Sequence, residues 1–252
     1  MAKESDTNTQ TSRGLDQEIS GAGGIPSAEA FGTPSISMRV YFSSYYLWAA
    51  EHFMRLASNI EGAHQGRSRF DIKHRAYVTG SVFASVTFLE AAINELFKDA
   101  ADKYESYVGS LNNDVLSKLA VKWKKTEGDN KYISILKKYQ LALEFAQQPA
   151  FIENDPPYKD VDLLIELRNE LVHYKPQTLG GMHIHRLEGE LENKFPINAL
   201  MADSGNPFFP DKCLGYGCAK WALTSSRSFA DDFFNKVGVI PNYKRVRFPV
   251  DE

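Results

Sequence analysis

Three polar side chains near the end of one apolar helical stretch are the residues in this sequence best suited to chemistry. They are Arg168, Asn169 and His173, within residues 161–176, VDLLIELRNELVHYKP. At about 100° per residue, Arg168 falls in the middle of the apolar arc of this stretch. A guanidinium cannot lose its charge and is costly to bury alone, so Arg168 must meet a carboxylate, an anionic ligand or another subunit.

The spacing of the other two residues predicts a shared polar site. Asn169 and His173 are four residues apart, so they lie one above the other on the flank next to Arg168. We therefore expect the three side chains to converge on one edge of the helix. The helix should end about Tyr174, because Pro176 disfavours helical geometry at the residue before it.

The run Arg168 to His173, RNELVH, resembles the RxxxxH signature of the HEPN superfamily. Residues 88–97, FLEAAINELF, also resemble the second helix of HEPN-type proteins, which often supplies an acidic or amide residue facing the motif. The resemblance covers roughly residues 38–174. It implies a small antiparallel helical bundle, and many such domains are metal-independent ribonucleases with the motif at a dimer interface.

The resemblance also implies a role for each residue. His173 would remove the proton of a ribose 2′-hydroxyl or donate one to the leaving oxygen, as an imidazole with an ordinary pKa of about 6.5 can do. Arg168 would hold the phosphate, Asn169 would orient the histidine or the phosphate, and Glu90 would fix Arg168. Products would carry a cyclic phosphate, with no metal and no cofactor. Two copies would face each other across a two-fold axis.

The helix that must position Glu90 is expected from Ile72 to Tyr104, with Asp71 as its N-cap. Glu90 lies on the apolar stripe of this helix, and Asn94 lies one turn further along the same edge. A carboxylate there needs a partner as Arg168 does, and an ion pair would satisfy both if the helices are neighbours. The alternative is that the pair is purely structural.

A lysine-rich stretch offers a second place for a phosphate backbone. Seven lysines lie between residues 118 and 138, against two acids, Glu127 and Asp129. This local excess could bind phosphates, although a solvated helix face gives the same pattern. The predicted substrate-binding residues are Asn94, Lys122, Lys124 and Lys125.

Length and composition favour one sizeable core. The chain has 252 residues, 43% hydrophobic and 24% charged. We expect an all-α fold, an antiparallel helical bundle of about five to six helices. A flexible N-terminal tail is expected over residues 1–37, the bundle and a C-terminal extension over residues 38–240, and a C-terminal tail over residues 241–252.

Composition also bears on partners and location. No stretch approaches the roughly 20 apolar residues of a membrane span, which predicts a cytoplasmic protein without a membrane partner. Cys213 and Cys218 lack metal-site or redox spacing and are interpreted as packing residues. His183 and His185 have no evident third ligand, so no metal site is predicted. The net charge of −3 gives no global attraction to RNA, so binding would need a local patch.

Two functions from different classes remain open. In the first, the protein is an RNA endonuclease acting as a homodimer on RNA. In the second, the same bundle is a non-catalytic module for dimerisation or for nucleotide or RNA binding, and the polar group fixes helix register or an interface. A toxin–antitoxin role with an antitoxin partner is implied only by the family. The segment after Lys175 departs from a minimal bundle and would either cap or occlude the groove.

Overall fold

Helices account for all the regular structure that the computed structural model describes, over residues 38–104, 107–128, 132–179 and 184–245. The predicted all-α bundle is confirmed over these residues. The chain divides into two units, residues 1–39 and 40–252, and the helices belong to the second. The predicted N-terminal tail, residues 1–37, lies outside the described residues. The α-helices are α1 Ser43–Gly62, α2 Ile72–Asp102, α3 Asn113–Gly128, α4 Ile135–Phe145, α5 Tyr158–Val172, α6 Glu188–Leu191 and α7 Tyr216–Val237.

The central helix is α2, which packs against α1, α3, α4, α5 and α7. Its start is as predicted, because the Asp71 carboxylate accepts a hydrogen bond from the backbone N–H of His74 at 3.0 Å. The helix ends at Asp102, followed by Lys103 in the left-handed conformation with φ 55°. The expectation that no stretch is apolar enough to span a membrane is wrong for α2, which passes that test by length and composition alone. However, 56% of its most apolar stretch is buried inside the protein. A core helix has the same composition.

Two contacts at opposite ends show that α1 and α2 run antiparallel. Glu95, late in α2, accepts hydrogen bonds from the backbone N–H and the hydroxyl of Ser43 at the start of α1, at 2.8 and 2.7 Å. At the other end, His74 Nε2 lies 2.8 Å from Glu61 Oε1. The two helices are thereby held in one register along their common length.

The extension after Lys175 forms part of the same core. Phe229 and Phe233 of α7 pack edge-to-face on Tyr139 of α4, with ring centroids 4.9 and 4.7 Å apart. The start of α7 lies against the preceding segment so closely that a Cβ on Gly217 would be 2.3 Å from the carbonyl oxygen of Pro196. The bundle therefore includes α7, beyond the residues 38–174 that carry the family resemblance.

Two further expectations concern the C-terminal half. Cys213 and Cys218 are buried and free, which confirms them as packing residues. Tyr243 lies within the predicted C-terminal tail, yet it is buried and its hydroxyl donates to Asp231 at 2.9 Å. Packed structure therefore continues to Arg245, and residues 246–252 lie outside the described part.

Candidate functional site

The motif lies at the C-terminal end of α5, which packs on α2 and α7. Val161, Leu163, Leu164 and Leu167 are buried and fix the orientation of the helix. The helix ends at Val172, two residues before the predicted end, and His173 follows as its C-cap with its backbone N–H donating to the Asn169 carbonyl at 2.9 Å. The imidazole of His173 therefore belongs to the first residue after the helix.

Arg168 is half-buried, and its Nε atom is buried without a hydrogen-bond partner. Within the described residues no ion pair joins Arg168 to Glu90, so the predicted pairing of these two side chains is not formed. The reason lies in helix packing, because the charge of Glu90 acts on a cation of another helix. The Arg168 guanidinium is left without a carboxylate from the part of the chain that the structure describes.

The cation that faces Glu90 is Lys138 of α4. Its side chain is buried, its Nζ donates to Asn94 Oδ1 at 2.8 Å, and the ammonium lies 5.8 Å from the centre of the Trp123 ring. Burial lowers the pKa of Lys138, and the nearby charge of Glu90 opposes that shift. Asn94 therefore serves a structural contact here. From the sequence, Lys138 was grouped with lysines on a solvated helix face. Its position between apolar residues of α4 could have indicated that it is buried.

Asn169 and His173 lie exposed on the outer flank of α5. Arg168 projects about 100° around the helix axis from Asn169, toward the buried side. The predicted convergence of all three on one edge is therefore limited to Asn169 and His173. Two large apolar side chains flank them in the open, Val172 at 51% and Tyr174 at 49% exposure.

A clamp on the outer face of α5 was not predicted. Arg186 donates from Nε and Nη2 to Glu170 Oε1 at 2.9 and 2.8 Å, and from Nη1 to Glu166 Oε2 at 3.1 Å. Hydrogen bonds from Arg186 hold the pKa of Glu170 below its ordinary value. Glu166 and Glu170, one turn apart on the exposed face, were the only signal in the sequence. The extension is thus attached beside Asn169 and His173.

His185 belongs to the same clamp. Its ring stacks on Phe209 with centroids 3.9 Å apart, and its Nδ1 accepts a hydrogen bond from the Leu187 backbone N–H at 3.3 Å. Nε2 therefore carries the proton and donates to Glu170 Oε2 at 3.3 Å. His183, its predicted companion in a weak metal pair, lies outside the described residues. Among the residues placed by the structure, no group of three or more His, Cys, Asp or Glu side chains could hold a metal.

The predicted lysine patch lies on α3, away from the motif. Lys124 and Lys125 are exposed and Lys122 is half-buried. Lys124 lines a groove of about 440 Å³ between α3 and the end of α2. Helix α3 packs mainly on α2 and α4, whereas α5 packs mainly on α2 and α7, so the lysines and the motif lie on helices with different principal neighbours.

Comparisons with known proteins neither support nor contradict the expected family. No family model, no curated protein and no solved structure matches this chain. The resemblance to the HEPN superfamily therefore rests on residues 168–173 and 88–97.

Proposed function

We propose that the end of α5 is the site of a HEPN-like, metal-independent RNA endonuclease. One observation carries this proposal: Arg168 is half-buried, its Nε has no hydrogen-bond partner, and no described carboxylate neutralises its charge. A permanently charged, planar guanidinium without a carboxylate partner can bind the phosphate of an RNA chain. Glu90 keeps no role in this proposal, since its charge faces Lys138.

His173 would supply the proton transfer. The imidazole takes the proton of a ribose 2′-hydroxyl, and the resulting oxygen attacks the adjacent phosphorus. The bond from phosphorus to the 5′-oxygen breaks, and that oxygen leaves with a proton from a second imidazole. The products are a 2′,3′-cyclic phosphate and a free 5′-hydroxyl. Arg168 stabilises the charge that develops on the phosphate once its guanidinium turns from the buried side of α5 toward His173. Asn169, one turn before His173, orients the imidazole or the phosphate.

A second copy of the chain would supply the second imidazole. His173 acts as a base in one copy and as an acid in the other, which a two-fold axis at the end of α5 allows. Val172 and Tyr174 are exposed beside His173 and offer apolar surface for that contact. An antitoxin partner would act by covering the same surface.

The test is cleavage of labelled single-stranded RNA in the presence of a chelator. We expect His173→Ala and Arg168→Ala to lose activity by about 100-fold or more, the range of a lost general acid or base. Arg227→Ala is the matched control, because Arg227 is an exposed arginine on α7. Cleavage that persists in both site variants, or none by the wild type, would overturn the proposal.

The second candidate is a non-catalytic dimerisation or binding module. It is favoured by the same exposed Val172 and Tyr174 and by the carboxylates Glu166 and Glu170 beside them, which do not attract RNA. Both functions predict a dimer, so sedimentation of the wild type and of Val172→Glu separates them only together with the cleavage assay. A dimer that Val172→Glu disperses, together with no cleavage by the wild type, would favour the module.

A further inference from the structure

The connection between α1 and α2 exposes both aromatic and basic side chains. We define the basic loop as residues 64–75, the connection together with the first turn of α2, which contain Arg67, Arg69, Phe70, Lys73 and Arg75. Phe70 is 56% exposed, and Arg67, Arg69 and Lys73 are also exposed. Phe70 and the neighbouring Ile72, which is 69% exposed, therefore leave apolar surface that is open to a ligand.

The basic loop is held in place by other parts of the chain. The backbone N–H of Arg69 donates to the Leu200 carbonyl at 2.9 Å, and the Ser68 hydroxyl accepts from the Asp203 N–H at 3.1 Å. Gly66 supplies a turn with φ 114°, which side-chain-bearing residues rarely adopt. A loop fixed in this way loses little further freedom when it binds a ligand.

Arg75 covers one face of the Phe70 ring, and the rest of the ring is exposed. The guanidinium carbon of Arg75 lies 5.2 Å from the ring centre, and Arg75 is itself held by an ion pair with Asp211. Asp211 also accepts a hydrogen bond from Asn206 at 2.6 Å. An aromatic ring fixed on one side by a cation is a suitable surface for stacking a nucleobase on the other.

Residues 64–75 contain four arginine and lysine side chains and one carboxylate, Asp71. Asp211 neutralises Arg75, and Asp71 lies 4.0 Å from Arg69. Arg67 and Lys73 have no carboxylate partner among the described residues. These cations flank Phe70 in sequence, which places sites for phosphate next to the site for a base.

A chain of contacts connects the motif helix with the basic loop. Glu170 of α5 binds His185, and His185 stacks on Phe209 in the turn Phe208–Lys212. Asp211 of the same turn binds Arg75, which covers Phe70. The end of α5 is therefore connected to the basic loop through the turn Phe208–Lys212.

We propose that the basic loop is the surface that binds single-stranded RNA for the site at the end of α5. Phe70 stacks one base, and Arg67, Arg69 and Lys73 bind the neighbouring phosphates. This inference rests on the proposed function for the identity of the ligand. A membrane of anionic lipid would use the same cations, but it would use the exposed Ile72 as much as Phe70 and would need no aromatic ring.

The experiment measures binding of a fluorescent uridine decamer to the full chain carrying His173→Ala, by anisotropy. Phe70→Leu keeps the apolar volume and removes the ring face, so we expect binding to weaken about 5-fold or more. Phe70→Tyr should bind as the parent does. Ile72→Ala is the matched control and should leave binding unchanged.

Salt dependence tests the cations. Arg67→Gln and Lys73→Gln should each lower the slope of log affinity against log salt by about 1. Lys98→Gln is the matched control, because Lys98 pairs with Asp102 on α2, away from the loop. No binding of the decamer, equal binding by Phe70→Leu, or binding to phosphatidylserine vesicles that Ile72→Ala abolishes would overturn the inference.

The two proposals can fail separately. If the wild type cleaves RNA but Phe70→Leu binds the decamer as well as the parent does, the basic loop is not the RNA-binding surface and the site at α5 stands. If binding depends on Phe70 but the wild type does not cleave RNA, the nuclease proposal is rejected and the basic loop remains an RNA-binding surface.

Discussion

Lys138 lies buried on α4, where its ammonium donates to Asn94 and faces the charge of Glu90. A buried ammonium is stable only while such partners compensate for the water it has lost. The same requirement applies to Arg168, whose described surroundings provide no carboxylate. Lys138 therefore has a hydrogen-bond partner within the described residues, whereas the Arg168 Nε has none there.

Replacing Lys138 tests its structural role. Lys138→Met leaves the Asn94 carbonyl and Glu90 without their cation, and we expect the free energy of unfolding to fall by about 1–3 kcal/mol. The measurement is urea denaturation followed by circular dichroism. Lys137→Met is the matched control, because Lys137 is exposed, and should stay within about 0.5 kcal/mol of the wild type. An equal loss in both variants would contradict the assignment.

Glu95 gives a prediction for pH dependence. Burial raises the pKa of its carboxyl above the ordinary 4.5, against the hydrogen bonds from Ser43. A raised pKa in the folded state means that the contribution of Glu95 to stability is present below pH 4.5 and is lost as pH rises through the folded pKa. Glu95→Gln cannot titrate. Its stability relative to the wild type should therefore increase as pH rises from 4.5.

Chemical denaturation of both proteins across a pH series measures that difference. Glu144→Gln, at an exposed position of α4, is a suitable control for the loss of one carboxylate. A difference between Glu95→Gln and wild type that stays constant with pH would contradict the prediction.

At the scale of elements, the start of α7 depends on a close backbone approach. Gly217 has no room for a Cβ, which would meet the Pro196 carbonyl oxygen at 2.3 Å. We expect Gly217→Ala to lower the free energy of unfolding by about 2 kcal/mol or more, because backbone must move. Gly62→Ala is the matched control, since nothing lies within 4 Å of its Cβ position at the end of α1. That change should stabilise the protein by roughly 0.5–1 kcal/mol.

Thermal unfolding of the two glycine variants separates the effects of crowding and of helix propensity. If Gly217→Ala melts with the wild type, the turn before α7 is not the close contact described above. A destabilised Gly62→Ala would show that the end of α1 needs the freedom of glycine.

At the scale of the whole molecule, the extension after Lys175 belongs to the core. Phe229, Phe233 and Phe234 of α7 are fully buried, and α7 packs on α1, α2, α4 and α5. A chain ending at Lys175 would expose this surface on every neighbouring helix. We expect that truncation to lose cooperative unfolding and to aggregate, as measured by circular dichroism and size-exclusion chromatography. A soluble, cooperatively melting fragment would contradict the role of α7.

Local features could be predicted from the sequence. The periodic apolar residues of α2, the Asp71 N-cap and the end of α5 before Pro176 were predicted because each depends on residues a few positions apart. The all-α class follows from the same short-range periodicity. The position of Asn169 and His173 on one flank of α5 was also predicted, because they are four residues apart.

Pairings between distant residues were decided by the tertiary structure alone. Glu90 faces Lys138 instead of Arg168, and Arg186 clamps Glu166 and Glu170, because those contacts depend on which helices become neighbours. Adjacency of helices is set by how all their apolar faces pack together, and no single segment contains that information. The sequence by itself determined the helices and the residues they carry, and the packing of the whole chain determined which charges meet.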